Sequence, residues 1–373
     1  MYSAGKPFTS PQTGGNKRFE ELTRYLCNNG NTSICCGDDP SSLGVLKKYV
    51  KYSFKSSQNR KSIIPPEAKR LWANRRIVHT IKNDSYDAIV TFDVPPTIGL
   101  CLYGVKNIVL MIRKDLLGYE KTIHPQISLM NIFRRAYLWI CEDICIRKVK
   151  TLIVQCEYDK QEMLNRHPLI KKRITEKFLV QINNVNPSWI VEKSREREID
   201  SCDDKFHVVF IGNFSDNRKG HSYLLPAALN LVNRYDDIVF DIIGDGKEYE
   251  KYKKEYRHER IIFHGRVNNP IPILKASCLS IVPSLADSCP NTIMESLYNC
   301  IPVIASNRGG IPEILRGCEE ALFDLSEEEI IKAISKLHTH SDLLLQLSER
   351  QKERKIELTF DWPEKIAMQL KDK

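Results

Sequence analysis

Along this chain, short and solidly apolar runs alternate with longer segments in which apolar positions recur every third or fourth residue. In the first half the short runs fall at residues 86–91, 107–112, 151–155 and 177–182. In the second half they fall at 206–212, 237–244, 260–264, 278–283 and 302–305. Their length and β-branched content predict strands, and the lack of polar alternation predicts strands buried on both faces. The segments 129–149, 222–235 and 291–299 read as helices between them. Buried strands alternating with helices make a parallel sheet covered on both sides. Residues 188–205 are charged and poor in apolar side chains, which predicts a linker. The fold class expected is therefore α/β, with two Rossmann-like domains facing across a cleft. The expected boundaries are 1–187 for the first domain, 188–355 for the second, and 356–373 for a terminal helix.

With 373 residues and 42% hydrophobic content, the chain is long enough for two proper cores. No apolar run approaches the roughly 18 residues of a bilayer span. The start of the chain lacks the apolar core of a secretory signal. A cytoplasmic location is expected, peripheral at the inner face of a membrane. The 12 cysteines include no C-x-x-C pair. Cys101, Cys278 and Cys300 sit in apolar segments, which predicts buried free thiols instead of disulfides or a zinc site. No cluster has metal-ligand spacing, so no metal and no cofactor are expected.

The formal net charge of +9 is unevenly spread. Between residues 45 and 80 there are ten Lys/Arg and one acid, Glu67. One reading is a solvated helical face. The other is a surface that meets an anionic membrane, favoured by Tyr49, Tyr52 and Phe54 among Lys47, Lys48, Lys51 and Lys55. Nucleic acid would suit the charge, but no nucleic-acid motif accompanies it, and no such partner is expected.

The segment with the most chemistry is 277–315. An apolar strand ends at Pro283, a loop carries Asp287, and Ser288, Cys289, Pro290, Asn291 and Thr292 open a helix that holds Glu295. A helix N-terminus offers free N–H groups to a phosphate. Ser288, Asn291 and Thr292 are capping types, and carboxylates at Asp287 and Glu295 suit sugar hydroxyls.

This segment resembles the retaining family-4 glycosyltransferases of the GT-B fold. Their Glu-x7-Glu signature stands here as Asp287 and Glu295, followed by Ile301-Pro302-Val303 and Gly309-Gly310-Ile311-Pro312-Glu313. Asp287 replaces the first Glu, and Cys300 stands where Gly is usual. Gly212 and Lys219-Gly220 resemble the pyrophosphate clamp of the family, with Asn213 in place of its Arg and Arg218 as a substitute charge. Gly265 and Arg266 resemble its base-contacting segment. Thr13 with Gly14 and Gly15 resembles its glycine loop. Residues 181–186, ending at Asn186, resemble its interdomain segment. Arg113 and Asp115 follow the strand after which the family often carries a His, and are candidates for the acceptor side.

What the resemblance implies is transfer of a sugar from a UDP- or GDP-sugar to a glycan or lipid-linked glycan in cell-surface polysaccharide synthesis, with retained anomeric configuration. Lys219, Asp287 and Glu295 would be catalytic, and the other named residues would hold the donor. Without a metal, fixed cations must stabilise the leaving diphosphate. Two alternatives stand beside this reading. One is a sugar-nucleotide epimerase of the same fold, and the other a non-catalytic basic binding protein with a degenerate donor site.

Overall fold

The computed structural model describes residues 1–3, 8, 14–30, 32–36, 38–53, 66–184 and 204–371. Phe54, Lys55, Thr13, Asn186 and most of the expected linker lie outside the described residues. The chain divides into two compact units. One comprises Met1–Leu117, Gln126–Gln181 and Asp361–Lys373, and the other Gly118–Pro125 and Ile182–Phe360.

The first unit holds β1 (Ile34–Cys36), β2 (Val50–Ser53), β3 (Ile89–Phe92), β4 (Ile108–Ile112), β5 (Thr151–Val154) and β6 (Phe178–Val180). Strands β3-β4-β5-β6 form a parallel sheet in chain order. Strands β1 and β2 pair beside it, and Tyr2 bridges to both Cys35 and Thr91. Every residue of β3, β4 and β5 is buried, as their unbroken apolar runs require. The last helix, Trp362–Lys371, packs in this unit against the helix Gly14–Asn29. Trp362 is buried there under the Arg18 guanidinium, 5.2 Å from its ring.

The second unit holds β7 (Phe206–Ile211), β8 (Ile238–Ile243), β9 (Ile261–Gly265), β10 (Leu279–Val282), β11 (Val303–Ser306) and β12 (Leu322–Phe323). The sheet order is β12-β11-β10-β7-β8-β9, with every pairing parallel. The chain starts in the middle at β7, runs outward through β8 and β9, then returns to the other side at β10. That reversal makes a switch point between β7 and β10, where the loops leaving the two strands diverge. Phe210, Phe214, Leu224, Phe240, Ile281 and Ile293 are among the buried residues of its core.

Eleven cysteines among the described residues are free thiols. Cys278 is half-buried and Cys300 exposed, against the expectation of burial for both. Cys300 follows the end of a helix, where the chain turns out to solvent. Among the described residues no helix is long and apolar enough to cross a membrane.

Candidate functional site

Lys219, Arg218 and Asp287 meet at the switch point of the second sheet. After β7 the chain makes two local turns. Asn213 Oδ1 accepts from the Ser215 amide at 2.7 Å, and Asp216 Oδ1 accepts from the Arg218 amide at 3.0 Å. These turns aim the two cations toward the loop that leaves β10. Gly220 then takes φ +75°, and a Cβ there would lie 1.7 Å from the Pro283 carbonyl oxygen. Only glycine lets the two loops pass so closely. The Leu285 amide donates to the Arg218 carbonyl at 2.8 Å and locks them together.

The loop bearing Asp287 is also held from β11. Ser306 Oγ donates to the Ser284 carbonyl at 2.6 Å, and the Gly310 amide donates to the Asp287 carbonyl at 3.1 Å. Gly309, at φ +57°, lies where a Cβ would come 2.4 Å from that same carbonyl oxygen. The Gly-Gly pair of the sequence motif therefore clamps the backbone of Asp287.

One oxygen of Asp287 accepts from both Arg218 Nη1 and Lys219 Nζ, each at 2.6 Å. All three side chains are largely buried. Burial works against the Asp287 charge, but Lys219 and Arg218 outweigh it and hold the carboxyl below its ordinary range. Burial also pushes the Lys219 ammonium below its ordinary value, with Asp287 offsetting only part of this and Arg218 adding to it. The Glu295 carboxylate adds weaker support to the Lys219 charge, so the structure brings this residue toward the same cluster. Asp287 thus serves two cations through one oxygen, and Glu295 acts on the same ammonium.

The helix beside the cluster is Asn291–Tyr298, and its N-cap is Pro290 with no side-chain cap. This corrects the capping expected of Ser288, Asn291 and Thr292. The helix starts at Asn291, as the segment 291–299 predicts, so Ser288 and Cys289 are buried loop residues ahead of it, and Asn291 and Thr292 already lie in the first turn. Asn291 Oδ1 is buried without a hydrogen-bond partner. Gly265 ends β9 at φ +68°, while Arg266 is exposed and pairs with Asp245 at 3.2 Å.

In the first unit, Gly14 and Gly15 form the first turn of the helix Gly14–Asn29, not a loop before it. A cavity of about 200 Å³ opens at the carboxyl ends of β3 and β4, lined by Asp93, Lys114, Asp115 and Glu142 among others. Arg113 does not line it. Its guanidinium pairs with Asp93, which also accepts from the Arg113 amide at 3.0 Å. Asp115 is buried, with its two oxygens held by Arg166 at 2.7 and 2.8 Å. Arg166 also pairs with Glu142 at 3.1 Å. Asp93, Arg166 and Glu142 were not candidates from sequence. The one local signal is at Asp93, a non-glycine residue at φ +63° directly after a strand, and backbone angle is not written in the residue type. Among the described residues no group of three His, Cys, Asp or Glu side chains could hold a metal ion.

Residues 205–340 match the family described as glycosyl transferases group 1. Among characterised sequences, the chain is 30% identical over 151 residues to Protein CapJ of Staphylococcus aureus, covering 39% of this chain and 37% of that protein. It is 33% identical over 100 residues to the UDP-Gal:alpha-D-GlcNAc-diphosphoundecaprenol alpha-1,3-galactosyltransferase of Escherichia coli, covering 25% of this chain and 26% of that one. The chain thus spans about half the length, or less, of the curated relatives it matches. Sucrose-phosphate synthase from Thermosynechococcus elongatus superposes with a TM-score of 0.76 at 18% identity, over 100% of this chain and 96% of that one. The chain has the GT-B fold of two Rossmann-like domains, and its second half is similar in sequence to glycosyl transferases group 1.

Proposed function

We propose that this chain is a retaining, metal-independent glycosyltransferase of the family-4 type. In this reading it takes a nucleotide sugar as donor and extends a lipid-linked glycan at an anionic membrane in polysaccharide synthesis. The observation that carries the reading is the convergence of Arg218 and Lys219 on one oxygen of Asp287 at the switch point of a Rossmann-like sheet. Ligands of open parallel sheets bind outside the carboxyl ends of the strands at such a point. A diphosphate there would gain both cations and the uncapped first turn at Pro290. As the anomeric bond breaks, negative charge grows on the leaving diphosphate, and preorganised cations stabilise it without reorganising. Bound diphosphate would also restore to Lys219 the charge that burial disfavours.

Asp287 would orient the donor sugar from its fixed position, and Glu295 would hold the ribose. The acceptor hydroxyl would attack from the side of the leaving group, with a donor phosphate oxygen taking its proton. The cavity lined by Asp93, Lys114 and Asp115 in the first unit would receive the acceptor. The E. coli relative's name speaks for a diphosphate-lipid acceptor and a UDP-sugar.

A screen of UDP-, GDP- and ADP-sugars by thermal shift, followed by donor turnover with and without a lipid-linked acceptor, tests this reading. Transfer that depends on acceptor supports it. Epimerised donor in the absence of acceptor would replace it with the epimerase alternative. No shift with any nucleotide would leave the binding-protein alternative.

A further inference from the structure

The cavity at the carboxyl ends of β3 and β4 has a wall of distinct chemistry. Among the described residues that line it, three side chains are carboxylates, Asp93, Asp115 and Glu142, and one, Lys114, is a cation. Val94, Ile112 and Met163 supply apolar surface between them. At about 200 Å³ the cavity is smaller than the roughly 300 Å³ at which pockets for drug-sized ligands begin. It has room for one ring and not for a chain of them. Asp93 stands at φ +63°, a strained conformation for a non-glycine residue and one that collects at ligand sites.

The two buried carboxylates are held by one guanidinium. Arg166 ends the helix Glu157–Arg166 that follows β5, is itself nine-tenths buried, and is not on the cavity wall. Its Nη2 and Nη1 donate to the two oxygens of Asp115 at 2.7 and 2.8 Å. Its Nε and Nη2 donate to the two oxygens of Glu142, each at 3.1 Å. The packing continues outward: His167 Nε2 lies 3.0 Å from Glu142 Oε1, and the Trp139 ring stacks on His167 at 5.2 Å. Asp93 is paired in the same way with Arg113, which is also off the wall. Together with Lys114, the two arginines match the three carboxylates in charge. A carboxylate has about four acceptor positions, so Arg166 fills only half of those on Asp115. The wall therefore calls for hydrogen-bond donors and not for a counter-charge.

We infer that this cavity selects a neutral, hydroxyl-bearing sugar as the terminal ring of the acceptor, with Arg166 as the positioning residue that sets Asp115 and Glu142 to receive its hydroxyls. The inference deepens the acceptor reading proposed for this cavity and rests on it. Sugar hydroxyls donate, and the wall accepts. The carboxylate of a uronic acid, or a phosphate ester, only accepts. It faces Asp93, Asp115 and Glu142 acceptor to acceptor, and gives up its water without replacement. Lys114 is outnumbered three to one by these carboxylates on the wall.

Matched octyl glycosides test this: glucoside against glucuronide, and galactoside against galacturonide, each pair differing only at C6, with the donor found by the nucleotide-sugar screen. The neutral member should show a kcat/KM at least about tenfold higher, the scale of one hydrogen bond to a charged group. Arg166→Lys keeps the charge but loses the fork that holds two carboxylates. It should raise KM for the neutral glycoside about tenfold, leave KM for the donor within about twofold, and narrow the preference over the uronide. If that variant does not keep the wild-type thermal transition, Asp115→Asn, which preserves the shape of the side chain, carries the same expectation. Equal or greater use of the acidic member overturns the inference. So does use of neither member by an enzyme that transfers to a lipid-linked glycan. A folded Arg166→Lys variant that raises both Michaelis constants alike, or neither, overturns the positioning role. A wild type that shifts with no nucleotide sugar and transfers to no acceptor fails the transferase reading first, a result distinct from the loss of acceptor preference.

Discussion

Asp287 is the residue on which two cations converge, and it makes the charge state of Lys219 a matter of balance. Removing the ammonium by Lys219→Ala should lower kcat by about a hundredfold, the scale found for one preorganised charge-stabilising group. The Michaelis constant for the donor should change less, because the leaving charge develops in the transition state. Steady-state kinetics at saturating acceptor would show it, and an unchanged kcat would move the role to Arg218. Two residues further on, His221 is buried between Phe214 and Tyr252, and its Nδ1 has no partner. Burial lowers its pKa from 6.5 to about 4. The unfolded chain therefore takes up this proton first as the pH falls. The stability that neutral His221 contributes is complete above pH 6.5 and is lost as the pH falls from there toward 4. His221→Phe, which cannot titrate, should show a shallower fall in urea midpoint between about pH 7 and pH 5, the range over which an ordinary histidine takes up its proton. Parallel slopes in the two proteins would exclude this origin.

The helix Asn291–Tyr298 shows how an element end records both function and strain. Its N-terminus carries Pro290 and no side-chain cap, which suits a site meant for an external anion. Its C-terminus closes in a Schellman motif. The Ile301 amide donates to Ser296 O at 3.0 Å and the Cys300 amide to Leu297 O at 3.1 Å. The motif needs a left-handed residue, and Cys300 takes it at φ +56°. A side chain in that conformation costs about 1–2 kcal/mol. Cys300→Gly should therefore stabilise the chain by about 1 kcal/mol, after the entropy glycine adds to the unfolded state. It should leave donor kinetics alone. A lowered midpoint of denaturation would show that the contact of Lys355 with the Cys300 sulfur, at 3.4 Å, matters more than the strain.

At the scale of the whole chain, the two units have separate sheets and separate cores. The chain passes between them near residues 118, 126, 182 and 361, and in the second unit the last two of these passages are joined where Asn184 Nδ2 donates to the Phe360 carbonyl at 2.6 Å. A nucleoside diphosphate that binds the second unit should stabilise it by roughly 2.7 kcal/mol at a hundredfold excess over its Kd. Calorimetry should show this shift undiminished in EDTA if, as proposed, Arg218, Lys219 and the helix end meet the phosphates without a metal. A shift that appears only with added Mg²⁺ or Mn²⁺ would count against that account.

The sequence by itself determined the α/β class, strands β3 to β11 to within a few residues but not the short β1, β2 and β12, and the motif residues from Gly212 to Glu313. It could do so because those signals are local. A doubly buried strand must be apolar throughout, and a glycine is required where two backbones nearly touch, as at Gly220 and Gly309. Which charges meet was another matter. Asp287 lies 69 and 68 residues from Arg218 and Lys219, and it is the reversal of strand order between β7 and β10 that joins them on one oxygen. Asp84 lies just outside the window in which Lys51 had been counted as one of ten cations facing one acid, and only folding brings it into contact. Asp115 resembled an open site residue until Arg166 closed on it. The segment 129–149 reads from sequence only as a helix, since hydrophobicity alone does not say whether anything covers a side chain. Burial and pairing belong to neighbours distant along the chain, so the tertiary structure alone decided them.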